Sequence, residues 1–139
     1  MHNHERMKTI LVVDDDPQTL EMIAGLLKGE YNVLIASTGA KGLEQSRNFN
    51  GEISVLLSDF QMPGGMSGVD LAIVMTLDRP QLKVLLMSAF TDGMLVLNEG
   101  WHFLPKPFIA SQLHALVVAL ASPDKASRFL TQRREPVAY

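Results

Sequence analysis

The sequence predicts an α/β fold, a doubly wound five-stranded parallel sheet with helices on both faces. Two observations predict it. Short apolar runs, several of them β-branched, recur five times, and they are near-continuous rather than alternating, as strands buried on both faces are. Stretches with apolar residues at helical spacing separate these runs.

Residues 8–13 form the first apolar run. It stops at Asp14-Asp15-Asp16-Pro17, where Asp16 suits an N-cap and Pro17 the first turn of a helix. Leu20, Ile23, Ala24 and Leu27 then share one helical face, and Gly29 ends the helix. Residues 31–36 are a second strand. Ser37-Thr38-Gly39 opens a second helix through about Arg47, with Ala40, Leu43 and Ser46 facing inward. The run 53–57 is a third strand, ending on the single carboxylate of Asp59, after which Pro63, Gly64 and Gly65 make a loop. Ser67 caps a third helix carrying Val69, Leu71, Ala72 and Met75, and Arg79-Pro80 ends it. Residues 83–88 are a fourth strand. Thr91-Asp92-Gly93 begins a short helix to about Asn98, and Gly100 stops it. His102-Phe103-Leu104 is a brief fifth strand before Pro105-Lys106-Pro107, and Leu113, Leu116, Val117 and Leu120 mark a final helix.

The expected organisation is a flexible N-terminus over residues 1–7, one folded domain over 8–121, and a polar extension over 122–139. The 139 residues suffice for a single core. Hydrophobic residues at 47% and charged residues at 19% give a globular balance. The absence of cysteine excludes disulfides, thiolate metal sites and cysteine nucleophiles. A net charge of -3 gives no pull toward nucleic acid or anionic membrane. The apolar stretch 115–121 is too short to span a bilayer, and the first residues lack the apolar run of a signal peptide, so a cytoplasmic location is expected. His2 and His4 read as solvated. In the extension, Lys125, Arg128, Arg133 and Arg134 outnumber Asp124 and Glu135 and surround the apolar pair Phe129-Leu130. It reads as a solvated tail, with a docking segment or linker stub as the other reading.

In a parallel sheet the carboxyl ends of all strands share one edge, where open α/β sheets place ligands. The first strand delivers Asp14 and Asp15 there, the third Asp59, the fourth Ser88, and the fifth leads into Lys106. Several carboxylates close together repel unless one is protonated or a cation joins them. An all-oxygen site suits Mg²⁺, or Mn²⁺ in its place. A cation, a lysine and a hydroxyl around one carboxylate are what phosphoryl transfer to Asp59 requires.

Four stretches, 11–16, 57–63, 87–89 and 103–108, resemble the receiver domains of bacterial two-component response regulators, in this order and at these separations. The resemblance covers about residues 8–121 and implies a flavodoxin-like fold. It implies that Asp59 is the phosphoacceptor, fed by a histidine kinase or histidine phosphotransfer protein. Asp15, Asp59 and the backbone carbonyl of Gln61 would hold Mg²⁺, with Asp14 helping through water. Lys106 would bind a phosphoryl oxygen, Ser88 would move to hydrogen-bond the phosphoryl group, and Phe103 would rotate inward as it does. Gln61 and Phe90, two residues beyond Asp59 and Ser88, would set the lifetime of the phosphoryl group. The Lys106–Pro107 bond would be cis. The expected assembly is a monomer or weak dimer acting on a downstream protein, with no enzyme activity beyond its own phosphotransfer and dephosphorylation.

This sequence departs from the family pattern at three places. One extra residue, Gly64 or Gly65, sits in the loop after Pro63. Ile109 stands where a capping Asp or Ser is common. The interval from Ser88 to Lys106 is about one helical turn short, as in receivers attached to hybrid histidine kinases, which shortens the fourth helix. Two other functions compete. A haloacid-dehalogenase-type phosphatase would use Asp14 as nucleophile and Asp16 as acid/base, but Gln18 and the lack of a paired acidic motif after Lys106 fit it poorly. A phosphorylation-independent binding module would keep the fold alone. Trp101, the one tryptophan, either fills the space left by the missing turn or joins Leu95 or Val96 in an exposed apolar patch.

Overall fold

The apolar runs become the strands of one sheet, each strand dividing its side chains between two layers of core. A computed structural model describes residues 7–89 and 101–122. The elements are β1 (Thr9–Val13), α1 (Pro17–Leu27), β2 (Asn32–Ala36), α2 (Gly39–Asn48), β3 (Val55–Asp59), α3 (Gly68–Asp78), β4 (Lys83–Ala89), β5 (Trp101–Lys106) and α4 (Ala110–Ala121). The sheet order is β2-β1-β3-β4-β5 and every pairing is parallel. Ile10, Val12, Leu57 and Met87 pack with Ile23 and Leu27 of α1 and Leu113 and Val117 of α4. Leu11, Val13, Leu56 and Leu86 face Leu71 and Met75 of α3 on the other side. The expected helix at about 91–98 lies outside the described residues.

Local chemistry sets the helix starts. Asp16 caps α1 by accepting from the N–H of Gln18, and Pro17 follows in the first turn. Thr38 caps α2 by accepting from the N–H of Lys41. Ser67 and Asp70 form a reciprocal capping box on α3. Ile109 offers no side-chain cap to α4, and Gln112 compensates by accepting the Ile109 N–H at 3.2 Å.

The sequence expectation for α2 holds for Leu43 and Ser46 and fails for Ala40. Ala40 is exposed, whereas Gly39, Gly42 and Ser46 turn inward. A Cβ on Gly42 would lie 3.0 Å from Val13 and 3.1 Å from Leu71, so α2 packs closely on its glycine side. Strand β5 is also longer than expected, running from Trp101 to Lys106 along β4.

Trp101 is 7% exposed and packs in the layer that holds Leu71, Ala72 and Met75. Trp101 is therefore a core residue rather than part of an exposed patch; the shortened connection, with Leu95 and Val96, lies outside the described residues. Below the sheet, Arg79 makes a clamp that no local pattern announced. Its guanidinium donates to Ser46 Oγ at 3.0 Å, the Ser46 carbonyl at 2.8 Å, the Phe49 carbonyl at 3.0 Å and the Gly51 carbonyl at 2.8 Å. These carbonyls belong to the end of α2 and the turn after it, where that of Ser46 also accepts the Phe49 N–H at 3.3 Å.

Two consequences can be measured by denaturant unfolding. Arg79→Ala is expected to lower stability by about 2 kcal/mol, and Arg79→Lys to recover little, because an ammonium cannot serve this fork of acceptors. Trp101→Ala is expected to cost about 3–5 kcal/mol as a core truncation, with blue-shifted emission from the wild-type tryptophan.

Candidate functional site

Strands β1 and β3 are neighbours, with Val13 beside Ser58, so the residues that follow Val13 meet the last residue of β3. The chain crosses from one side of β1 to the other between β2 and β3, which opens a crevice at the carboxyl edge. Asp14, Asp15 and Asp59 each bring a carboxylate oxygen into this crevice, all within 4.8 Å of one another. Lys106, at the end of β5, donates to Asp59 Oδ1 at 2.9 Å.

The three acids differ in setting. Asp14 is 1% exposed; its Oδ1 accepts the Asp16 N–H at 2.8 Å, while Oδ2 is buried with no hydrogen-bond partner. Asp15 is exposed and Asp59 half-buried. Burial raises the pKa of Asp14, with the fields of Asp59 and Asp15 adding to it against a backbone hydrogen bond and Lys106. Burial also raises Asp59, more than the Lys106 hydrogen bond and charge lower it. For Lys106, burial opposes the ammonium, but the hydrogen bond to Asp59 and the surrounding carboxylates outweigh it and raise its pKa. A buried carboxylate oxygen without a donor, beside two more carboxylates, fits a hard divalent cation.

Backbone contacts fix Asp59 in place. The Phe60 N–H donates to the Met87 carbonyl at 2.8 Å, and the Gly68 N–H to the Phe60 carbonyl at 3.1 Å. Ser58 Oγ donates to the Asp59 carbonyl at 2.9 Å. A Cβ on Gly68 would fall 1.9 Å from that carbonyl, so only glycine lets α3 begin against β3. Sequence reasoning gave Ser58 and Gly68 no positioning role. The Ser67-Gly68 pair at a helix start was the available signal for the second, and nothing local marked the first.

Ser88 is buried at the end of β4 and donates to the Ala89 carbonyl at 3.1 Å; it lies opposite Pro105 in the sheet. Phe103 is half-buried, its ring 6.2 Å from that of Phe60 and tilted by 51°. Gln61 is exposed in the loop after β3. Phe90 lies outside the described residues. The Lys106–Pro107 bond is cis. Asp16 does not join the cluster as an acid/base: its oxygens accept from Gln18 N–H and, at 2.7 Å, from Thr19 Oγ1, which holds its carboxyl below the usual range.

Comparison with known proteins agrees with this geometry. The family model for the response regulator receiver domain matches residues 10–118. Hybrid signal transduction histidine kinase D of Dictyostelium discoideum is 32% identical over 129 residues, which are 88% of this chain and 8% of that protein. The DNA-binding response regulator MtrA of Mycolicibacterium smegmatis is 33% identical over 115 residues, 79% of this chain and 49% of that one. The chain thus spans about half or less of these curated relatives. Among solved structures, a response regulator receiver domain protein from Clostridium thermocellum superposes with a TM-score of 0.77 at 28% identity, covering 86% of this chain and 98% of that chain.

Raised carboxyl pKa values in the fold mean that the folded state binds more protons than the unfolded one. The stability cost is absent below the ordinary carboxyl value and grows as pH rises through the raised ones. Asp14→Asn keeps an acceptor for the Asp16 N–H and removes one buried charge. It is expected to raise the urea midpoint at pH 7, with the difference from wild type shrinking toward pH 4. Added Mg²⁺ should raise the wild-type midpoint and raise that of Asp14→Asn much less.

Proposed function

This chain belongs to the response regulator receiver family, and we propose that it accepts a phosphoryl group on Asp59 from a histidine kinase or histidine phosphotransfer protein. One observation carries the proposal: Asp59 is held by Lys106 at 2.9 Å and lies within 4.8 Å of the Asp14 and Asp15 carboxylates. That is a nucleophile with a positive charge on one side and a set of cation ligands on the other.

A carboxylate oxygen of Asp59 attacks phosphorus. The phosphorus–nitrogen bond of a phosphohistidine breaks, or the phosphorus–oxygen bond of a small acyl phosphate, and the imidazole or carboxylate leaves. Asp15, Asp59 and the Gln61 carbonyl would hold Mg²⁺, or Mn²⁺ in its place, with Asp14 acting through water. The cation supplies the positive charge that lets a phosphate dianion approach three acids. Lys106 exchanges Asp59 Oδ1 for a phosphoryl oxygen. Ser88 hydrogen-bonds the phosphoryl group, and Phe103, already against Phe60, turns inward with it. Gln61 and Phe90 flank the group and set how readily water reaches it, with Phe90 shielding.

The family is regulatory, and this self-chemistry is its own catalysis. The output is a changed surface recognised by a downstream protein, with the chain acting as a monomer or weak dimer and without direct nucleic-acid contact. No helix among the described residues is long and apolar enough to cross a membrane, and the proposed location is the cytoplasm. Incubation with acetyl phosphate and Mg²⁺ should add one phosphoryl group by intact-mass spectrometry. The addition should vanish in EDTA and in Asp59→Asn. Equal labelling with EDTA would overturn the proposal, and labelling that persists in Asp59→Asn would move the acceptor elsewhere.

A further inference from the structure

Helix α3 is apolar on two sides. Leu71, Ala72 and Met75 are fully buried against the sheet, yet Ile73 is 44% and Leu77 78% exposed on the outer side. These two lie four residues apart on one stripe, in line with Asp70, and Asp78 adjoins Leu77. A helix with apolar residues all round is normally covered. The stripe therefore runs acid, apolar pair, acid. The Asp78 carboxylate meets Arg47 at 3.1 Å, an exposed pair that other cations can replace.

The end of α4 and the turn after α3, on opposite faces of the sheet, meet at one edge of it. Pro80 and Gln81 line one part of a groove of about 490 Å³, and Leu120 and Ala121 another. The chain leaves α4 at Ser122, one residue beyond Ala121 of that groove, and would round the edge of the sheet to reach α3 on the other face. Beyond Ser122 stand Arg128, Phe129, Leu130, Arg133 and Arg134. That order, base, apolar pair, bases, is the complement of the stripe. The six residues that follow Ser122, through Arg128, reach up to about 20 Å when extended. Ile73 and Leu77 are about 6 Å apart along the helix axis.

We propose that the segment 123–134 folds back on its own chain and straps the outer side of α3, with Phe129 and Leu130 on Ile73 and Leu77 and its arginines beside Asp70 and Asp78. The strap runs from the far end of α3 to Asp70 in its first turn, an exposed residue outside the carboxylate cluster, so it leaves the crevice open. This proposal is independent of the phosphoacceptor reading.

The segment carries its own probes, because trypsin cleaves after Lys125, Arg128, Arg133 and Arg134. A strap docked in about nine molecules of ten slows cleavage about tenfold. In the full chain at low concentration, cleavage should be about tenfold slower than in a free peptide of residues 123–139, and 0.5 M NaCl should reduce the protection. Leu77→Asp should abolish it and lower the unfolding midpoint by no more than the loss of a nine-to-one docking equilibrium requires. Phe129→Asp, at a position beyond the described residues, should abolish it after Lys125. Acetyl phosphate labelling of Asp59 should be unchanged in both variants. Wild-type cleavage at the peptide rate, or protection that survives both variants, would overturn the strap. Protection that grows with protein concentration would assign the stripe to a second copy and overturn it equally.

Discussion

Mutual repulsion among Asp14, Asp15 and Asp59 is the constraint on which the site depends. A fold does not gather three carboxylates at a partly buried edge without cost, and Asp14 Oδ2 is buried with no donor. The Lys106 ammonium answers part of that charge, through a hydrogen bond to Asp59 and through its field at Asp14. What remains is excess negative charge in a crevice lined by oxygen atoms. Such a crevice favours a divalent cation first and an oxyanion only afterwards. The stability cost and the proposed chemistry therefore have one origin, and a site relaxed by protonation would lose both.

The surrounding fold keeps this arrangement from opening. Asp59 ends a strand whose two neighbours, β1 and β4, are hydrogen-bonded on either side. The α3 start is pressed against the Asp59 carbonyl at a distance only glycine permits, and Ser58 donates to the same carbonyl. The acids cannot separate by moving β3, because α3 and β4 move with it. Repulsion is thus held by backbone hydrogen bonds and packing rather than by the side chains that suffer it. The opposite edge of the sheet is secured separately, by Arg79 binding the end of α2 and the turn beyond it.

Much of this was legible in the sequence because it is local or follows from topology. Asp16 and Ser67 cap the helices they precede, since a cap is a matter of three or four residues. The meeting of Asp14, Asp15, Asp59 and Lys106 follows once the strands are parallel, because their carboxyl ends then share an edge. Other features depend on neighbours distant in sequence. Ala40 has the composition of an inward residue, yet α2 turns its glycines to the sheet so that it can approach Val13 and Leu71. Arg79 marks the end of a helix in the sequence, but its acceptors lie about 30 residues earlier. Which oxygen of Asp14 lacks a partner is a three-dimensional fact that spacing cannot give.

Trp101 shows how the same distinction bears on signalling. In the sequence it stood as either filler or surface, because an aromatic residue at a shortened connection satisfies both descriptions. Its burial against the α3 layer removes it from the surface and makes it part of what fixes β5 against β4. Phe103, two residues on along the same face of β5, is only half-buried and touches Phe60, the residue after Asp59. One strand therefore carries a locked aromatic near its start and a looser one near the crevice. The proposed change at Asp59 would reach Phe60 through the backbone and Phe103 through ring contact, with Trp101 holding the far part of the strand. Packing would then confine the proposed signal to the carboxyl end of β5, where Phe103 is less tightly buried.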